Sequence, residues 1–264
     1  MKNQQNNLLN TLRKQLKGLC RKVFDDFGQE SYELELQDLK KDSVYPKFSF
    51  DRPEYVLIRL MGRLSISVGR RLGEIYDKIP RILASSHYNL DPSDVAPKLD
   101  GLELDVGLRF SLISEEQQKL IKETVKLYTQ TSVDEQKGVG IEIRYNFNPN
   151  DSSRLRKDVK MAELLKNEGL VPIYLVFSSI SPREDAIARL TRAGWYFLIG
   201  ENAIAFLKDI LGEDFLNLLE NPDIKNEIVK EIDQIMKSLV NSYAFREVLR
   251  EHDLSLPGVN DGLK

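Results

Sequence analysis

Residues 171–180, V-P-I-Y-L-V-F-S-S-I, constrain the fold more than any other stretch. A nearly unbroken apolar run bounded by Gly169 and Pro182 reads as a strand covered on both faces, which requires helices on each side of a sheet. W-Y-F-L-I-G at 195–200 reads as a second buried strand, with a short helix from Pro182 to Ala193 between the two. Strands separated by helices point to an α/β domain.

Two earlier stretches follow a different rule. In residues 138–148, Ile141, Ile143, Tyr145 and Phe147 alternate strictly with Glu142, Arg144, Asn146 and Asn148, giving one apolar and one polar face. Residues 102–112 repeat the pattern: Leu102, Leu104, Val106, Leu108, Phe110 and Leu112 oppose Glu103, Asp105, Gly107, Arg109 and Ser111. Between them Ser114 and Gln117 resemble a capping box, and Leu120, Ile121, Val125 and Leu127 continue a helix to about Gln130. After 148 a helix opens at Asp151, Ser152 or Ser153 and at once shows Arg154, Arg156, Lys157 and Lys160. It runs to about Asn167, with Leu155, Val159, Ala162, Leu164 and Leu165 turned inward, and Gly169 stops it. The expected architecture is a mixed central sheet flanked by helices, with helical additions at both ends.

Those additions begin with an amphipathic helix over 7–27, followed by a polar stretch, 28–53, that reads as an irregular connection broken by Pro46 and Pro53. Asp51 then caps a long helix whose buried stripe is Leu57, Leu60, Met61, Leu64, Val68, Leu72, Ile75, Ile79 and Ile82. Gly62, Gly69 and Gly73 in it would admit another backbone, and Pro80 is expected to kink or end it. The same helix carries Arg59, Arg63, Arg70, Arg71 and Glu74. A helix from Glu201 to about Leu219, and another bearing Ile224, Ile228, Ile232, Ile235, Met236, Leu239 and Val240, complete the chain before a polar tail after Pro257. These breaks suggest an N-terminal helical extension, 1–50, and a main domain, 51–264.

Composition narrows the chemistry. Cys20 is the only cysteine, which rules out an internal disulfide and suits a reducing cytoplasm. With His87 and His252 the only histidines, a zinc site of Cys and His is not expected; a metal here would be hard and held by carboxylates. No run approaches the length of a membrane span, and the opening M-K-N-Q-Q-N-N lacks the apolar core of a secretory signal, so no membrane partner is expected. A net charge of −3 neither favours nor excludes nucleic acid, since phosphate binding needs only a local basic surface.

If the two alternating strands are neighbours, Glu103 and Asp105 lie beside Glu142 and Arg144 on one face. Carboxylates that close repel one another, and a divalent cation between them removes the repulsion. Mg²⁺ takes one or two carboxylates, waters and phosphate oxygens, so the cluster suits phosphodiester chemistry. The competing reading is an ordinary charged face, or a cross-strand Arg144–Asp105 ion pair. The basic helix start adds weight to the first, because free N–H groups at a helix N-terminus attract phosphate.

The order of these motifs resembles the PD-(D/E)xK nuclease core, in which a helix bears a Glu, a strand an Asp, and the next core strand Glu/Asp-x-Lys. The match falls on Glu74, on Asp105 in E-L-D-V-G, and on Glu142-Ile143-Arg144. More specifically, E-L-D-V-G-L-R-F, G-I-E-I-R-Y-N-F-N-P-N-D-S-S-R-L-R-K-D and P-I-Y-L-V-F-S-S-I-S-P-R resemble the ApaLI-like type II restriction endonucleases, over residues 50–250. The resemblance implies a restriction-endonuclease-like core and a homodimer that cuts double-stranded DNA at a palindrome. It implies Mg²⁺, replaceable by Mn²⁺, on Asp105, Glu142 and the Ile143 carbonyl, with Glu103 or Asp100 as substitute ligands. Arg144 stands where the superfamily has lysine, and arginine cannot act as a base at neutral pH. Metal alone then activates water, or Lys157 or Lys160 fills the role, or the protein binds DNA without cutting it. Asn146, Asn148, Arg154, Arg156 and Arg183 are the candidate DNA contacts.

Overall fold

A computed structural model describes residues 10, 14, 18, 21–145, 152–179, 184–212 and 221–252, with the backbone alone at 71–77, 152 and 224. In chain order the helices are α1 (Gln29–Lys41), α2 (Pro53–Tyr88), α3 (Pro92–Val95), α4 (Glu115–Thr129), α5 (Ser152–Asn167), α6 (Glu184–Ala193), α7 (Glu201–Leu211), α8 (Pro222–Val240) and α9 (Tyr243–Glu251). The strands are β1 (Lys98–Leu99), β2 (Leu102–Glu103), β3 (Val106–Arg109), β4 (Gly138–Arg144), β5 (Leu170–Val176) and β6 (Tyr196–Ile199). The chain forms two units, one over Gly73–Asn221 and one that joins Leu9–Leu72 to the stretch after Pro222, so the division falls inside α2.

The first unit holds a four-stranded mixed sheet, β3-β4-β5-β6, with β3 antiparallel to β4 and the remaining pairs parallel. Helices α5 and α6 make the crossovers to β5 and β6, so the expected mixed sheet flanked by helices is present. All seven residues of β5 are buried, as its apolar run requires. Tyr174 and Val176 of β5 join Met161, Ala162 and Leu165 of α5, Leu190 of α6 and Trp195 in one cluster. Because Glu142 pairs with Tyr174 and Arg144 with Val176, these two charged side chains share the face that α5 covers. Gly140 is on that face too, and a Cβ there would run into the Leu165 side chain, so glycine lets α5 lie close to β4.

Several expectations are corrected. The alternating stretch 102–112 is not one strand: Asp100 and Gly101, both at positive φ (46° and 77°), turn β1 into β2 as a separate two-residue hairpin. The chain re-enters the main sheet only at Val106, and Leu112, expected inside, is 44% exposed. Strand β4 ends at Arg144 and is buried on both faces rather than half solvated; Tyr145 lies beyond it, half exposed, and Phe147 lies outside the described residues. Strand β6 is only partly buried, because it pairs on one side alone.

In the second unit, 28–53 is not an irregular connection. It contains the 13-residue α1, held by Tyr32 and Leu39 on a narrow stripe inside a charged sequence. The Ala244 N–H donates to the Phe27 carbonyl (3.1 Å), and Tyr32 meets Tyr243 edge-on at 5.5 Å. Helix α2 neither stops nor breaks at Pro80, although an internal proline costs about 3 kcal/mol. Burial of Ile79, Leu83, Ala84 and Tyr88 on the same segment offsets that loss. Among the described residues nothing outside the helix's own nearby backbone comes within 4 Å of a Cβ placed at Gly62 or Gly69, so no described backbone uses the space there, and Met61 is exposed rather than part of the stripe.

Candidate functional site

Register builds the site. Val106 of β3 pairs with Ile141 of β4, so Asp105, one residue before, stands opposite Glu142. Asp105 is held on both oxygens: Oδ2 accepts from the Ile143 N–H (2.8 Å) and from Arg144 Nη1 (3.1 Å), and Oδ1 accepts from Arg81 Nη2 (2.8 Å). Arg144 reaches Asp105, Glu142 and the Ile143 carbonyl, the three leading donors expected for a metal, but neither of the substitutes Glu103 and Asp100. Its Nη1 also donates to the Ile143 carbonyl (2.7 Å), and its Nη2 donates to Glu142 Oε1. The cross-strand Arg144–Asp105 pair, one of the two readings of the polar strand faces, is therefore present.

Behind Arg144 stands a carboxylate that the sequence reading passed over. Asp158 of α5 is 6% exposed, and its Oδ1 lies 3.9 Å from Arg144 Nη2. The Tyr174 hydroxyl donates to Asp158 Oδ2 (3.0 Å), the Trp195 indole N–H donates to the Asp158 carbonyl (2.8 Å), and the Arg144 guanidinium carbon is 5.9 Å from the Tyr174 ring centre. The missed signal was periodicity: Leu155, Asp158, Ala162 and Leu165 share one helix face, so a lone acid stood on the buried side of a basic helix. Arg81 and Tyr174 carried no comparable mark.

Electrostatics follow from this crowding. Burial pushes the Glu142 carboxyl well above its usual range; Asp105 and Asp158 add to the rise, and Arg144 opposes it. Burial likewise raises Asp158, against the pull of Arg144 and the Tyr174 hydrogen bond. Arg144 loses hydration too, yet Glu142, Tyr174, Asp105 and Asp158 outweigh that loss and fix its charge. Among the described residues Glu142 Oε2 is buried without a hydrogen-bond partner, an acceptor that a buried carboxylate seldom leaves idle.

A cleft of ≈ 360 Å³ opens over the site, lined among others by Glu103, Glu142, Arg144, Arg154, Lys157 and Asp158. Glu103 sits at its edge, on Arg81 at 2.5 Å. Lys160 pairs with Asp100 instead of lining the cleft, and Arg156 points to solvent. The backbone of Glu74 lies on α2, but its side chain, like Asn146, Asn148 and Arg183, lies outside the described residues.

Asp105, Glu142 and the Ile143 carbonyl could offer a hard ion such as Mg²⁺ oxygen donors that include two carboxylates, and Glu142 Oε2 would be a further acceptor. Among the described residues no three Asp, Glu, His or Cys side chains converge as a metal-binding group, so the carbonyl would have to serve as the third donor. No family model, curated protein or solved structure matches this chain. What the site does follows from its own chemistry.

Proposed function

We propose that this chain is a Mg²⁺-dependent endonuclease that hydrolyses phosphodiester bonds of double-stranded DNA, of the PD-(D/E)xK type and acting as a homodimer of the type II restriction kind. One observation carries the reading: Asp105 faces Glu142 across β3 and β4, beside a cleft that Arg154 and Lys157 line from the start of α5. Asp105, Glu142 and the Ile143 carbonyl would hold the ion. Bound there, Mg²⁺, or Mn²⁺ in its place, supplies an activated water and neutralises charge on the leaving oxygen. Arg154 and Lys157 draw a phosphate into the cleft, Arg154 by bidentate contact and Lys157 as a point charge. Arg144 stays protonated and meets the negative charge that develops on the non-bridging phosphoryl oxygens. Arg81 holds the Asp105 oxygen that Arg144 does not.

Incubating the full chain with DNA of known sequence and Mg²⁺ or Mn²⁺ tests this. Discrete fragments that vanish with EDTA are expected; intact DNA with both ions contradicts it. A second reading, a DNA-binding protein with a degenerate nuclease core, is favoured by the Arg144 guanidinium lying against all three oxygen donors. Binding to duplex DNA that survives EDTA, with no cleavage in either ion, would select it.

A further inference from the structure

Arg144 and a divalent ion compete for the same three acceptors, Asp105 Oδ2, Glu142 Oε1 and the Ile143 carbonyl. A guanidinium and a divalent cation a few ångströms apart in a buried site repel strongly, so the two do not share these donors. A metal entering the site therefore needs Arg144 to move, and a mobile buried guanidinium needs somewhere to go.

Asp158 provides the place. Its Oδ1 is already 3.9 Å from Arg144 Nη2, and both side chains line the cleft, so a short swing of the guanidinium carries it from one carboxylate group to the other. Asp158 is anchored where it stands by the Tyr174 hydroxyl on its side chain and by the Trp195 indole on its carbonyl. The Tyr174 ring offers a face for the guanidinium beside the same carboxylate. Glu142 Oε2, buried and without a hydrogen-bond partner among the described residues, is the acceptor left over while Arg144 is in place.

We infer that Arg144 is a built-in, displaceable cation that occupies the divalent-ion site, and that Asp158 is the positioning residue that receives it when metal enters. The inference rests on the reading of Asp105, Glu142 and the Ile143 carbonyl as a divalent site, and it adds a way for the chain to hold that site closed until metal enters. While Arg144 occupies the donors, apparent affinity is reduced by the fraction of molecules in which it has moved away.

Mn²⁺ binding by the full chain without DNA, followed by electron paramagnetic resonance and calorimetry, tests it. Arg144→Gln should bind Mn²⁺ about tenfold more tightly than the native chain, and Glu142→Gln should abolish binding. Asp158→Asn should weaken binding severalfold in the native background and change nothing in the Arg144→Gln background, a coupling that a general structural role would not produce. Equal, Glu142-dependent affinity in the native chain and Arg144→Gln overturns the inference while leaving the metal site standing. Absence of Glu142-dependent binding in both removes the metal site and the inference together. Should Arg144→Gln fail to fold, an unchanged affinity in Asp158→Asn alone overturns the inference.

Discussion

Arg144 donates to Asp105 at 3.1 Å across the antiparallel pair of β3 and β4, and both side chains are largely buried, at 15% and 6% exposure. One guanidinium thereby balances Asp105 and Glu142 inside the sheet, and the three groups depend on one another. Removing the positive partner leaves the carboxylates buried without it.

Arg144→Ala should therefore lower the unfolding free energy by about 3–5 kcal/mol, the usual penalty for breaking a buried ion pair from one side. Trp195, the only tryptophan, is 1% exposed within the same unit and reports this in a urea titration. Arg109→Ala, which breaks an exposed pair with Glu168 at 3.0 Å, should change stability by less than about 1 kcal/mol in the same measurement. Equal effects of the two substitutions would show that the buried cluster has no special hold on the fold.

Glu142 gives the site a pH signature. Its folded carboxyl is raised above the ordinary 4.5, first by burial and then by Asp105. Below 4.5 it is neutral in both folded and unfolded chains, and no penalty exists. As pH rises from there through the folded value, the unfolded chain ionises first and native stability is lost. Exposed Asp100, lowered by its hydrogen bond from Lys160, acts in the opposite sense and loses stability as pH falls. Glu142→Gln should thus become progressively more stable relative to the native chain as pH is raised above 4.5, read from urea midpoints at several pH values. A pH-independent difference would remove the raised carboxyl from the account.

The layout of the sheet was legible because β5 is apolar on both faces, and nothing but two helical layers accommodates such a strand. The pairing of Asp105 with Glu142 was legible as a possibility in the alternating stretches, but the Asp100-Gly101 hairpin that separates Glu103 from Asp105 was masked by unbroken alternation through 102–112. Helix α1 was hidden by its charge, since Tyr32 and Leu39 are its only fully buried side chains. Arg81 approaches Asp105 from a distant helix, and no local spacing announces such a contact.

Gly140 tests the packing that places α5 over the site. Gly140→Ala puts a methyl into the Leu165 side chain and should lower stability by about 1–3 kcal/mol while disturbing the Asp158 side of the cleft. Thermal melts of this variant beside Gly62→Ala, at an open helical position where stability should rise, give the comparison. A neutral Gly140→Ala would mean that α5 is not tightly seated on β4.

Tyr174→Phe removes the hydroxyl that donates to Asp158 at 3.0 Å. A buried carboxylate deprived of a donor should cost about 1–3 kcal/mol in stability and rise further in pKa. Urea denaturation at neutral and mildly acidic pH checks both, since the loss should shrink as Asp158 becomes protonated in the folded chain.

Cleavage of duplex DNA by the native chain, Asp105→Asn and Glu142→Gln, each shown to be folded, tests the central claim most directly. In Mg²⁺ or Mn²⁺ the native chain should produce discrete fragments and neither variant should, whereas Lys160→Ala, whose side chain pairs with exposed Asp100, should cut like the native chain. Fragments of the same size and yield from Asp105→Asn and Glu142→Gln, or no cutting by the native chain in either ion, would contradict it.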